Sequence, residues 1–247
     1  MTALEETEPR DRPARILVVS FDLGRSAVLA TVLGVCAEVE TARSFSRALH
    51  RLSGSRHDGV LVRVSESDPD GLCFVRIVRS RLPQCPLVVV TDKSNSPLDG
   101  ELRGLDAHGH LREPVTVWDI VERLTALLVL HGKPVARPRR RSAYLRRAFE
   151  HLADHYGAGT TLESVASAVN ISAGHLGERF LAETGMPVRE WLTRVRVEVA
   201  KALLTETDEK LEMIAELTGF CDASHLSRVF LRLTAVRPGQ YRDGALR

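Results

Sequence analysis

His175-Leu176-Gly177-Glu178-Arg179-Phe180-Leu181 returns later in the chain as His225-Leu226-Ser227-Arg228-Val229-Phe230-Leu231. Each copy follows a matching run, Leu162-Glu163-Ser164-Val165-Ala166 before the first and Leu211-Glu212-Met213-Ile214-Ala215 before the second. Self-similarity at a fixed offset marks a duplicated structural unit. Two helices joined by a tight turn, used twice, let one chain reach two successive major grooves on one face of a duplex. The repeat therefore predicts a sequence-specific DNA binder.

Working outward, Ser142–Tyr156 reads as a first helix with apolar residues at helical spacing. Gly157-Ala158-Gly159 ends it, and Thr160 or Thr161 caps the next. Ser172 caps a third helix that stops at Gly185. Pro187 opens a long fourth helix in which Val188, Trp191, Leu192, Val195, Val199 and Leu203 share one face. That helix is a ruler. At 1.5 Å per residue, Val188–Leu204 spans roughly 25 Å, so units packed at its ends place their reading helices near one DNA turn apart, roughly 34 Å. Leu211–Thr218 and Ala223–Leu233, capped by Asp222, form the second unit.

These residues resemble the AraC/XylS family of transcriptional regulators over about 142–243. The match reads Arg196-Val197, Ala200, Leu203-Leu204, Ile214-Ala215, Gly219-Phe220, Asp222, Ser224, Leu226-Ser227-Arg228-Val229-Phe230, Pro238 and Tyr241-Arg242. Most are structural: Phe220 and Phe230 fill the core, and Pro238 breaks the chain. The resemblance implies that bases are read from Ala173, Gly174, Gly177 and Glu178 in the first unit. In the second they are read from Ala223, Ser224, Ser227 and Arg228. Arg179 is an anchor beside the first helix, and Arg232, Arg237 and Arg242 are phosphate contacts. Two glycines cannot read a base edge, so specificity is expected to come mainly from the second unit. Arg228 suits a bidentate guanine or a phosphate, with an ion pair to a neighbouring acid as its alternative. His175 and His225 are packing or capping residues as readily as DNA contacts. Ala235 stands where the family generally has glycine, and a positive φ there would add strain.

From Arg15 the front half alternates apolar runs with helical patterns. Ile16–Val19, Val60–Val62 and Pro86–Thr91 read as strands, and Ala37–Thr41 and His108–Arg112 as weaker ones. Ser26–Leu33, Ser44–Leu52, Leu72–Arg81 and Val117–Leu130 read as helices. Such alternation predicts a doubly wound, five-stranded parallel sheet. The chain is thus expected to be α/β plus all-α, with a seven-helix second part. Residues 1–13 form a tail, 14–130 the α/β domain, 131–141 an Arg/Pro linker and 142–243 the helical domain.

Residues 14–130 resemble the receiver domain of two-component response regulators, through Asp58-Gly59-Val60-Leu61-Val62, Asp70-Gly71-Leu72, Val89-Val90-Thr91 and Gly109-His110-Leu111-Arg112-Glu113-Pro114. The resemblance implies an acidic pair for magnesium, an acceptor aspartate and a lysine. Here those places hold Ser20 and Phe21, Arg63, and Glu113; only the switch hydroxyl, Thr91, remains. Phe21 offers magnesium no oxygen, and arginine cannot form an acyl phosphate. The implied domain is an unphosphorylatable pseudo-receiver. Because both charges are reversed, Arg63 and Glu113 are expected to pair across the old site. The alternative is a solvated rim, where a pair contributes under about 1 kcal/mol. Asp22, Glu66 and Asp68 are a weaker cation-binding alternative.

Composition sets the remaining bounds. An apolar fraction of 44% suits packed cores, and the net charge is only +2. The front 136 residues carry 17 basic and 18 acidic side chains, the rest 17 and 14, so local clusters such as Arg137-Pro138-Arg139-Arg140-Arg141 matter more than the total. Those arginines either touch phosphates or sit in a solvated tether. Cys36, Cys73, Cys85 and Cys221 are scattered, which argues against zinc and for small buried thiols in a reducing cytosol. The polar, acidic start is neither a signal nor a transit peptide, and no stretch suits a bilayer. No Cys-His or carboxylate constellation points to an enzyme. The expected partners are promoter DNA, a second copy of the chain and RNA polymerase, in the cytoplasm, with no cofactor and no membrane. The α/β part is expected to serve dimerisation, protein docking or sensing of a small molecule or peptide. The rival reading is an interaction module with weakened DNA binding.

Overall fold

The structure is a computed structural model. It describes residues 12–20, 22–65, 69–91, 97–105, 109–133, 135, 142–157 and 159–245. The front half runs β1 (Ala14–Val19), α1 (Leu23–Leu33), β2 (Ala37–Ala42), α2 (Phe45–Gly54), β3 (Gly59–Val64) and α3 (Pro69–Arg81). It continues through β4 (Leu87–Thr91), α4 (Pro97–Gly104), β5 (Gly109–Arg112) and α5 (Val117–Leu130). All five strands pair in parallel, in the order β2-β1-β3-β4-β5. Parallel neighbours need crossover helices, and these cover both faces. The period-2 geometry of strands then divides the apolar residues. Ile16, Val18, Leu61, Val88 and Val90 face the α1–α5 layer. Leu17, Val19, Val60, Val62, Val64, Leu87 and Val89 face α2, α3 and Leu102.

The helix α4 was not among the predicted elements. It is short, carries Gly100 and Gly104, and sends one residue, Leu102, into the core among those whose side chains are described. One buried side chain makes no periodic pattern. The expected burial of the cysteines is also corrected. Only Cys85 is buried; Cys36 is half-buried, and Cys73 and Cys221 are exposed, on the outer face of α3 and in a turn.

The back half contains α6 (Ala143–Asp154), α7 (Leu162–Ala168), α8 (Ala173–Thr184), α9 (Val188–Glu206), α10 (Leu211–Thr218), α11 (Ala223–Thr234) and α12 (Pro238–Ala245). Pro238 does not break the chain; it opens α12, where a missing N–H costs nothing. The long α9 has 19 residues, about 28 Å. Around its first turns Phe180 meets Trp191 edge to face, and Phe149 lies tilted against both. Phe230 and Tyr241 do the same in the second unit.

The two halves share one apolar core, which runs from β1 and α5 through α1 into α6 and α9. They meet tightly at Gly24. A Cβ there would lie 1.8 Å from the Ala153 carbonyl oxygen, so only glycine admits α6 against α1. Beside it, Glu150 accepts from the Val117 N–H at the start of α5 (2.6 Å) and lies 3.7 Å from Arg25. Burial raises the Glu150 carboxyl above its ordinary range, against the pull of that N–H and of Arg25. Further along, Arg43 pairs with Glu206 (3.7 Å), and Arg47 donates to the Thr205 carbonyl.

The opening of the predicted linker is fastened. Lys133 reaches Asp58 at 2.7 Å, and Val135 is buried. Burial alone would raise Asp58, but Lys133, the Arg15 N–H and Arg12 outweigh it and hold the carboxyl below its usual range. Arg137, Arg139, Arg140 and Arg141, the first eleven residues, Glu66 and Asp68 lie outside the described residues.

Candidate nucleic-acid interface

The repeat seen in sequence is also a repeat of geometry. Ser172 caps α8 by accepting from the His175 N–H (3.3 Å), and Asp222 caps α11 by accepting from the His225 N–H (2.6 Å). At the other ends, Thr184 and Thr234 each donate to a carbonyl one turn back, of Phe180 and Phe230, and each accepts from the N–H two residues on. Both helices stop in the left-handed conformation, α8 at Gly185 (φ 79°) and α11 at Ala235 (φ 60°). Alanine there carries the strain expected for a Cβ at positive φ.

The reading positions match in exposure as well. Gly174 and Glu178 are open to solvent, as are Ser224 and Arg228; Ala173 and Gly177 are half-buried, as are Ala223 and Ser227. Beneath them Leu176 and Phe180, and Leu226 and Phe230, are fully buried. The glycines are not packing requirements. A Cβ on Gly174 would meet nothing, and one on Gly177 would make an ordinary 3.5 Å contact with Leu162. The first helix therefore presents a face almost without side chains, and the second presents hydroxyls and a guanidinium.

The arginines divide by what they touch. Arg228 and Arg232 are exposed and make no ion pair among the described residues. The alternative of Arg228 neutralised by a neighbouring acid is not what the structure has. Arg179 is turned back toward its own fold, donating to the Tyr144 hydroxyl (3.1 Å) and to Glu183 (3.3 Å). Arg242 does not point outward as a phosphate contact. Its guanidinium donates to the Leu204 carbonyl (3.2 Å) and the Glu209 carbonyl (2.5 Å), closing the end of α9. Arg196 likewise holds the Tyr156 and Gly157 carbonyls at 2.8 and 2.7 Å after α6. The His175 ring lies against Tyr144 and the His225 ring against Phe220, and the backbone N–H of each is capped.

Between the two units lies an open groove of about 1390 Å³. Its floor is apolar, with Leu192 and Phe220, and its rim carries Arg189, Arg228 and Arg232. Sequence reading passed over Arg189. It lies outside the repeated segments, and only the fold brings the start of α9 beside α11.

At the front, Arg63 and Glu113 form the reversed pair at 3.1 Å. Thr91 is buried and its hydroxyl lies 2.9 Å from His110 Nε2. The Ser20 hydroxyl accepts from the Asp22 N–H (3.2 Å), and Asp22 caps α1. Phe21 lies outside the described residues. Asp22 is therefore engaged with its own helix and Arg25 rather than gathered into a cation site. Among the described residues no group of three His, Cys, Asp or Glu is arranged to hold a metal ion. No described helix is long and apolar enough to cross a membrane.

A family described as a helix-turn-helix domain matches residues 165–244. An uncharacterized HTH-type transcriptional regulator of Escherichia coli K12, YijO, is 31% identical over 113 residues, 46% of this chain and 40% of that protein. The arabinose operon regulatory protein of the same bacterium is 31% identical over 101 residues, 40% of this chain and 35% of its own. This chain thus spans well under half the length of these curated relatives. A CheY-like receiver domain protein from Methanospirillum hungatei JF-1 is similar to 49% of this chain and 98% of its own, at 20% identity and a TM-score of 0.44. The C-terminal region of this chain is a helix-turn-helix domain of the AraC type, and its homologues are transcriptional regulators of that family.

Proposed function

We propose that this chain is a sequence-specific DNA-binding transcriptional regulator whose receiver-like half works without phosphorylation. The carrying observation is the matched presentation of α8 and α11: capped alike, buried alike on one face, and open to solvent at the same reading positions. A helix presented in this way enters a major groove, and two on one strut reach successive grooves. Arg228 reads a guanine edge or grips a phosphate, and Ser224 and Ser227 add adaptable hydrogen bonds. The first unit, with Gly174 and Gly177 on its surface, adds attraction with little base reading, and Glu178 there suits only a cytosine amino group.

The receiver-like half keeps the sheet and has lost the phosphoryl chemistry. Its role is dimerisation, protein docking or sensing, with RNA polymerase a candidate partner at the promoter. Genome-wide mapping of bound DNA tests the whole reading; recurrent sites with a readable motif support it. The rival, an interaction module with weakened DNA binding, is favoured by the two glycines of α8. A gel shift on the DNA upstream of the chain's own gene, at stated salt, separates the two, and no shift sinks the regulator.

A further inference from the structure

Exposed cations outside the reading helices are an unexplained feature of the back half. Arg189 sits in the first turn of α9, exposed, and makes no ion pair among the described residues. It shares a groove rim with Arg228 and Arg232, which come from α11. Of the acids lining the same groove, Glu190 is bound to Arg194 at 3.1 Å, which leaves the exposed Glu163 at the start of α7 against Arg189, Arg228 and Arg232. The groove is open, runs between the two units, and includes Arg228, itself a reading position.

An open, cation-rimmed channel continuous with a duplex-reading helix fits a polyanionic strand. We infer that the groove seats the sugar-phosphate backbone of the DNA segment between the two half-sites, with Arg189 and Arg232 as its phosphate clamps. This rests on the DNA-binding reading above. Phosphate contacts fix register without reading sequence. The clamps therefore set where the first, side-chain-poor helix lies on the duplex, a task that helix cannot perform by recognising bases.

The test is binding of the full chain to a mixed-sequence duplex, by fluorescence anisotropy, between about 50 and 200 mM salt. Each lost phosphate contact lowers the slope of log affinity against log salt by about 0.9. Arg189→Gln and Arg232→Gln are each expected to lower it by about that amount, and Arg189→Lys to keep it. Arg81→Gln is the control. That residue is also exposed but lies on α3 in the front half, outside the groove lining, where it donates to the Ser53 hydroxyl, so the slope should stay at the wild-type value. If the wild type binds and Arg189→Gln and Arg232→Gln keep its slope, the groove carries no phosphate. If Arg81→Gln lowers the slope as much as Arg189→Gln, the effect is bulk charge and the assignment falls. Wild-type binding that is absent or insensitive to salt overturns the DNA-binding reading itself, a distinct result.

Discussion

At Ala235 the chain holds a φ of 60° on a residue with a Cβ, where the matched place in the first unit has Gly185. Left-handed backbone costs an L-residue about 1–2 kcal/mol, and glycine returns part of that as unfolded-chain entropy. Ala235→Gly should raise stability by about 0.5–1 kcal/mol, read as a higher urea midpoint at unchanged slope. A lower midpoint would mean that the strain is not there. Arg228→Ala should cost about 1–3 kcal/mol of DNA affinity, and Gly174→Ala, whose Cβ meets nothing, close to none. An arginine effect well under that range would remove Arg228 from the interface. The Arg63–Glu113 pair is partly exposed, so it is worth little to stability. Its consequence is chemical: under the proposed pseudo-receiver reading, beryllofluoride and magnesium should leave DNA binding unchanged, and a shift in affinity would refute that reading.

Among the elements, α11 depends on its cap. Asp222 accepts from the His225 N–H at 2.6 Å and places a carboxylate at the positive end of the helix. Asp222→Ala should lower stability by about 1 kcal/mol, seen in chemical denaturation, and a neutral result would discount the cap. On the edge strand β2, Glu40 lies 3.5 Å from His57 Nε2 and beside Arg15 and Arg51, and it is held down to about 2, with His57 the largest cause. A carboxyl lowered on folding stabilises above its unfolded value, about 4.3, and that contribution is lost as pH falls toward 2. Glu40→Gln should therefore flatten the acid limb of the stability profile, and an unchanged limb would place the acid sensitivity elsewhere. Most elements were legible in sequence because they bury a periodic face: β1, β3, β4 and α9 are apolar at strand or helix spacing. The two reading helices were legible because they repeat. The pattern does not show α4, whose one core residue among those described is Leu102, nor most features made by distant pieces; the Arg63–Glu113 pair is the exception, expected from the receiver resemblance. Arg242 looks like a surface cation in sequence; only the fold brings two orphan carbonyls to it.

For the molecule as a whole, the decisive feature is the seam between α1 and α6. Gly24 against Ala153 leaves no room for a side chain, so Gly24→Val should part the halves. Calorimetry should then show two melting steps where the wild type shows one, and a single step in the variant would mean that the seam does not couple them. Arg25→Glu should weaken the same seam, and joining it with Glu150→Arg should recover part of the loss. The core is continuous across this seam, so the front half braces α6 and α9 while Gly174, Glu178, Ser224 and Arg228 remain in solvent. The seam also decides whether the front half can be exchanged for another α/β domain. A donor without glycine at the Gly24 place would collide with Ala153, and one without arginine at the Arg25 place would strand the Glu150 carboxylate. Grafts at this boundary need both residues carried across, and changes on one side of the seam should be inherited together with compensating changes on the other.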